Sequence, residues 1–319
     1  MKKSTGYFLA VALCAAAVGA RASCGAAFCL VNTDWTSQGS FLDPGMRFDL
    51  RYEYIDLDQP RAGRSRVGVG QVPRHHDEVE TRNNNYVASV DWNLAPQWGL
   101  TLAVPYVDRD HLHVHNHHGE TIPESWSFRG LGDLRLQSRY VLTSVAADGA
   151  SLSTAGLTFG VKVPTGKHDV TNSEGELAER TLQPGTGTTD LLLGAYWHGA
   201  ALDGWSWFTR AQAVIPTTTR DGFQPGRQLQ VDGGARYALG VAAGLMLQVN
   251  AHVRGRDSGA NAEPEDSGQR AVFVSPGISW TLGRDAQLYA FVQVPVYQAV
   301  NGVQLTADWS ALAGVSFRF

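Results

Sequence analysis

Residues 245–254 read Leu245-Met-Leu-Gln-Val-Asn-Ala-His-Val-Arg254. Leu245, Leu247, Val249, Ala251 and Val253 fall on one side of an extended chain, and Met246, Gln248, Asn250, His252 and Arg254 on the other, because successive side chains of a strand point to opposite faces. Such unbroken alternation marks a strand set between two solvents, one apolar and one polar. The stretch before it repeats the pattern, with Leu229, Val231, Ala235, Tyr237 and Leu239 set against Gln228, Gln230, Asp232 and Arg236. So does the end of the chain, where Trp309, Ala311, Ala313, Val315, Phe317 and Phe319 alternate with Ser310, Leu312, Gly314, Ser316 and Arg318.

Carried along the chain, the same template predicts twelve strands: 46–57, 82–94, 98–107, 127–143, 153–163, 188–199, 205–216, 228–239, 244–256, 269–282, 287–297 and 309–319. The connections between them run 24, 3, 19, 9, 24, 5, 11, 4, 12, 4 and 11 residues. Long and short alternate throughout. A secreted β-sandwich has no reason to sort its loops by length, whereas an outer-membrane barrel has an even strand number, short periplasmic turns and long outer loops. Backbone groups in lipid must be satisfied internally, so the sheet has to close. The expected fold is therefore all-β, a single antiparallel transmembrane barrel of twelve strands at residues 46–319. Its partners are outer-membrane lipid and a small-molecule solute. Tyr52, Tyr54, Trp92, Trp98, Trp197, Trp205, Trp280 and Trp309 stand near strand ends, where such barrels carry aromatic girdles.

Composition agrees. Of 319 residues 43% are hydrophobic but only 18% charged, and beyond the first 22 no apolar run reaches the roughly 18 residues of a membrane-spanning helix. A net charge of -4 argues against nucleic acid as a partner. Residues 1–22 read as a signal peptide: Met1-Lys2-Lys3, an apolar run from Phe8 to Val18, and Ala20-Arg21-Ala22 as the cleavage site. Residues 23–45 are then expected to be a short periplasmic segment, in which Cys24 and Cys29 most simply close a disulfide loop in an oxidising compartment. Lipid attachment at Cys24, or a redox or metal role for the pair, is the competing reading.

Three segments carry a family resemblance: Gly130-Leu-Gly-Asp-Leu134, Leu157-Thr-Phe-Gly-Val-Lys-Val-Pro-Thr-Gly166 and Pro184-Gly-Thr-Gly-Thr-Thr-Asp-Leu191. Their succession resembles an outer-membrane channel family associated with the meta-pathway of phenol degradation, over roughly residues 40–319. The resemblance implies a channel-like barrel and says little about its solute. The alternating Val315-x-Phe317-x-Phe319 ending resembles the signal by which barrels are recognised for assembly, which makes the assembly machinery a partner through Phe319.

On the predicted lumen face stand Arg47, Arg51, Arg135, Arg139, Lys162, Arg210, Arg236, Arg254 and Arg318, against Asp49, Glu53, Asp91, Asp133, Asp190 and Asp232. A cross-strand ion-pair ladder that fills the barrel is one reading. A pore lining with mild anion preference is the other, since fixed charges in a narrow passage set selectivity.

The histidines gather in the predicted outer loops. His111, His113, His115 and His117 alternate in His111-Leu-His-Val-His-Asn-His-His118, so an extended segment puts four imidazoles on one face. Imidazole is the usual ligand of zinc, copper and nickel, so a divalent transition metal at these histidines is one reading, with Asp108, Asp110, Glu120, His75 and His76 nearby; a solvated loop tip dressed with polar side chains is the other. No other cofactor is called for. Nothing selects a catalytic Ser–His pair or a pair of carboxylates, so no enzyme is expected. The preferred function is passage of small solutes through the lumen; the alternative is a metal-binding barrel or scaffold with a closed lumen.

Overall fold

The computed structural model describes residues 31–33, 45–73, 76–117, 120–147, 151–283 and 285–319. The signal peptide, Cys24 and Cys29 lie outside the described residues. In chain order the strands are β1 (Gly45–Leu57), β2 (Gln59–Ala62), β3 (Ser65–Arg66), β4 (His76–Ala95), β5 (Trp98–His117), β6 (Glu120–Leu131) and β7 (Leu134–Ala147). There follow β8 (Ser151–Val163), β9 (Asp190–Ala201), β10 (Trp205–Pro216), β11 (Gln228–Leu239) and β12 (Ala243–Arg254). The last are β13 (Gln269–Leu282), β14 (Ala286–Val300), β15 (Val303–Thr306) and β16 (Ser310–Arg318).

Twelve of these close into an antiparallel barrel in the order β4-β1-β16-β14-β13-β12-β11-β10-β9-β8-β7-β5, and β5 pairs back with β4. The seam between first and last strands continues past β16, where Phe319 N donates to Met46 O (2.9 Å) and Met46 N to Phe319 O (3.3 Å). The short turns share one end of the barrel, and Gly204, Gly240 and Gly283 in three of them have φ of 91°, 67° and 67°, a region open to glycine at little cost. The long connections share the other end, where β15, β2 and β3 form a small separate sheet.

Alternation decides what faces lipid. On β12, Leu245, Leu247, Val249 and Val253 are exposed on the outer surface, while Met246, Gln248, Asn250 and His252 are buried inside. Trp98 packs on Tyr140 and Trp205 on Tyr237, with ring centroids 4.7 and 4.9 Å apart, as an aromatic girdle near the short turns. The interior also holds large apolar groups: Phe208, Met246, Tyr289, Phe291 and Leu312 belong to one buried cluster.

Two expectations need correction. The predicted strand 127–143 is two strands, β6 and β7, interrupted at Gly132-Asp133, and both pair with β5. The histidine stretch is not a loop. β4, β5 and β6 continue beyond the barrel wall as a three-stranded extension in which β5 pairs with β4 through His115 and with β6 through His117. Alternation continues through this stretch, but so many histidines mask it as a polar loop.

Candidate functional site

The interior of the barrel is the first candidate. Val31, Asn32 and Thr33 lie within it rather than in the periplasm, where residues 23–45 were expected. Gln248 Nε2 donates to Asn32 O at 2.8 Å, and Asn32 N donates to Gln248 Oε1 at 3.2 Å. Arg51 Nη1 donates to Thr33 Oγ1 at 2.8 Å, and Val31 is buried in the same apolar cluster as Phe208 and Phe291. A chain segment entering a lumen must find partners for its polar groups; Gln248 of β12 supplies them for the Asn32 backbone and Arg51 of β1 for the Thr33 hydroxyl.

Most predicted lumen charges are paired. Arg47 bonds Asp91, Arg51 Nε lies 2.8 Å from Glu53 Oε1, and Arg254 Nη2 donates to Asp257 at 2.6 and 2.7 Å. Arg139 bonds the Asn93 amide oxygen. Arg210 Nη2 donates to Gln212 Oε1 (2.9 Å) and Gln137 Oε1 (3.2 Å). Asp232 accepts from Asn250 (2.8 Å) and Gln230 (2.9 Å), and Arg236 Nε donates to Ser279 Oγ (3.2 Å). Toward the long loops the interior opens into a cavity of about 240 Å³. Arg51, Arg109, Arg135, Lys162, Arg180 and Arg254 line it against Asp133 and Asp190. Arg47, Arg139 and Arg210 line a smaller cavity of about 50 Å³ nearer the short turns.

The wall of the larger cavity is built where three separated segments meet. Asp133, at the break between β6 and β7, accepts from Lys162 Nζ (2.6 Å), Gly166 N (3.1 Å), and Thr186 N and Oγ1 (both 3.0 Å). Lys162 also lies 3.2 Å from Asp190, and Thr188 Oγ1 donates to Asp190 at 2.8 Å. Gly166 and Gly185 pack backbone to backbone, so a Cβ on Gly185 would sit 2.5 Å from Gly166 O. Glycine is required at this contact.

The family described as "Putative MetA-pathway of phenol degradation" matches residues 59–316, which includes all three segments. The chain belongs to that family. Among solved structures, this family member is similar to the COG4313 outer membrane channel from Pseudomonas putida F1, with 13% identity and a TM-score of 0.63 over 91% of this chain and 99% of that one. Lower similarity links it to the KdgM porin (9% identity, TM-score 0.41, 86% and 99% covered) and to a FadL homologue of Pseudomonas aeruginosa (9%, 0.41, 93% and 96%). No curated protein sequence matches. The closed wall and its outward apolar side chains make this family member an outer-membrane barrel.

The second candidate is the histidine extension. On β5, Val107, Arg109, His111 and His113 face inward and are buried. His113 Nε2, His115 Nε2 and Glu124 Oε2 are mutually within 3.2 Å. His111 stands one step back, its Nε2 3.4 Å from His113 Nδ1 and its Nδ1 2.8 Å from Thr81 Oγ1. Trp126 covers His113 at a centroid distance of 4.7 Å and donates its indole N–H to Glu176 O in the long loop after β8. Burial, reinforced by His115, pushes the pKa of His113 down to about 4, and burial holds His111 well below its ordinary value. Both imidazoles are therefore neutral near pH 7. The backbone of His117 continues β5.

The carboxylate differs from the expected ones. Asp108 and Asp110 occupy the opposite face, where they accept from Arg129 Nε (3.3 Å) and Ser127 Oγ (2.6 Å). Glu124 enters the site because β6 pairs with β5 in the register His113↔Glu124. A hairpin reading centred on His118-Gly119 is the signal in the sequence that could have found it.

Proposed function

We propose that this outer-membrane barrel passes small solutes through its lumen and favours anions. The cavity lined by six cationic and two acidic side chains carries the reading, because fixed charge of one sign in a confined passage selects the opposite sign. Solute enters among the long loops, meets this cavity, and passes the level of Val31–Thr33 toward the short turns. Ion pairing of Arg47, Arg51, Lys162 and Arg254 with Asp91, Glu53, Asp133 and Asp257 supports a mild preference, because a cation beside a carboxylate contributes little net field.

Single-channel recording of purified protein in a planar bilayer under a salt gradient tests this. Stepwise conductance with a reversal potential displaced toward anions is expected. A correctly folded barrel that stays silent overturns the reading in favour of a closed-lumen scaffold. The same purified material serves for assembly, in which we assign Phe319 a recognition role: deleting it is expected to lower the yield of heat-modifiable barrel, and an unchanged yield counts against that role.

A further inference from the structure

The geometry points to a divalent transition-metal site, of which zinc is the simplest occupant, formed by His113 Nε2 and His115 Nε2 of β5 and Glu124 Oε2 of β6. The donor atoms are separated by 3.0 Å between the two imidazole nitrogens, 3.2 Å from His113 to Glu124 and 3.0 Å from His115 to Glu124. Ligands about 2.0–2.1 Å from a tetrahedral zinc lie roughly 3.3–3.4 Å from one another. The triangle is within a few tenths of an ångström of one face of that polyhedron, with the fourth position left to water or an incoming donor.

Proton counting favours a cation over a hydrogen-bond cluster. Three contacts join two imidazole nitrogens and one carboxylate oxygen, and each Nε2 can carry one hydrogen while the carboxylate carries none. Two protons cannot serve three edges with linear hydrogen bonds, and with both nitrogens protonated two N–H groups would face each other at 3.0 Å. One metal ion satisfies all three lone pairs together.

The groups behind the triangle accommodate the tautomer that coordination needs. With His113 Nε2 holding a lone pair, its Nδ1–H donates to His111 Nε2, and the His111 Nδ1–H donates to Thr81 Oγ1. Metal-bound histidines characteristically donate their other N–H to a fixed partner, which orients the ring and selects the tautomer. Trp126 packs against His113 and limits water on that side. The side chains are partly accessible at His115 and Glu124, at 18% and 15%, so an ion can enter. Glu78 is buried on β4 in register with His113, adding negative charge nearby. The site does not depend on whether the barrel conducts.

Calorimetric titration of the folded, detergent-solubilised barrel with zinc chloride decides the matter, with cobalt(II) absorption as a second readout. One equivalent bound at micromolar affinity is expected, together with the intense visible bands of four-coordinate cobalt. Glu124→Gln and His115→Ala should each weaken zinc at least 100-fold. Thr81→Val, which removes the hydroxyl bonded to His111, should cost about tenfold, the lower end for a partner behind the ligands. A control with His117→Ala and His118→Ala should bind as the parent does. Folding of every variant is checked by heat-modifiable mobility. Equal affinity in Glu124→Gln or His115→Ala, loss of binding in the control, or only the faint spectrum of octahedral cobalt in the parent would each overturn the site. The spectrum of the parent decides even if a variant misfolds.

Discussion

Gln248 and Asn32 exchange two hydrogen bonds, the side-chain amide of one holding the backbone of the other at 2.8 and 3.2 Å. The primary amide imitates a neighbouring strand, presenting one donor and one acceptor with the spacing of a peptide group. The inward face of a wall strand thereby holds a segment that belongs to no sheet. Gln248 is wholly buried, so the pair is shielded from competing water.

Gln248→Ala should release this segment. At about 1 kcal/mol per neutral hydrogen bond, losing both costs about 2 kcal/mol, or roughly a 30-fold shift in docking. Higher open probability or larger conductance in bilayers is expected, with the barrel otherwise intact by heat-modifiable mobility. Parental conductance would show that Val31–Thr33 does not limit passage.

Asp133→Ala removes the acceptor shared by Lys162, Gly166 and Thr186 and should detach the 164–189 connection from the wall. Breaking one partner of a buried pair costs about 3–5 kcal/mol; the lower figure applies because Asp190 remains near Lys162. Cleavage of that connection by protease should accelerate at least tenfold. Gly185→Ala should act in the same direction, because its Cβ meets Gly166 O. Unaltered cleavage in both would remove the Asp133 cluster as the anchor.

Charge reversal separates passage from scaffolding. Arg210 lines the smaller cavity, and Arg210→Glu should move the reversal potential toward cations. The shift should shrink from dilute to concentrated salt, as the screening length falls from about 30 Å at 0.01 M to about 3 Å at 1 M. Arg236, held on Ser279, should show a smaller shift. Stability loss without any selectivity change would make both arginines ladder partners only.

Acid should loosen the histidine extension. The unfolded pKa of a histidine is about 6.5, and burial lowers that of His113 to about 4, with His115 acting in the same direction and Glu176 against it. The unfolded hairpin therefore binds more protons than the folded one between these values, so stability is lost as pH falls from about 6.5 toward 4. Amide exchange of β5 and β6 beyond the barrel wall, corrected for intrinsic rates, should quicken over this window. The effect should diminish in His113→Asn. Protection that stays flat down to pH 4 would contradict a buried neutral His113.

Much of the barrel is written locally. The alternation of residues 245–254 fixes which side chains meet lipid and which meet the lumen, because the strand period of two is a property of the backbone alone. The segregation of short and long connections sets the two ends, and twelve strands follow with boundaries close to those observed at β10, β11 and β13. What the tertiary structure decided depends on register between segments, some of them far apart in the chain. Glu124 reaches His113 only because β6 folds back on β5, and Asp133, Lys162, Thr186 and Asp190 converge only because the long connection after β8 returns to the wall. Val31–Thr33 enters the lumen because Gln248 and Arg51 offer partners there, more than 200 residues away in the first case. Periodicity reports the face on which a side chain lies; which side chain faces it across the sheet is set by pairing, made locally across a hairpin such as β5–β6 and over long range only once the barrel closes.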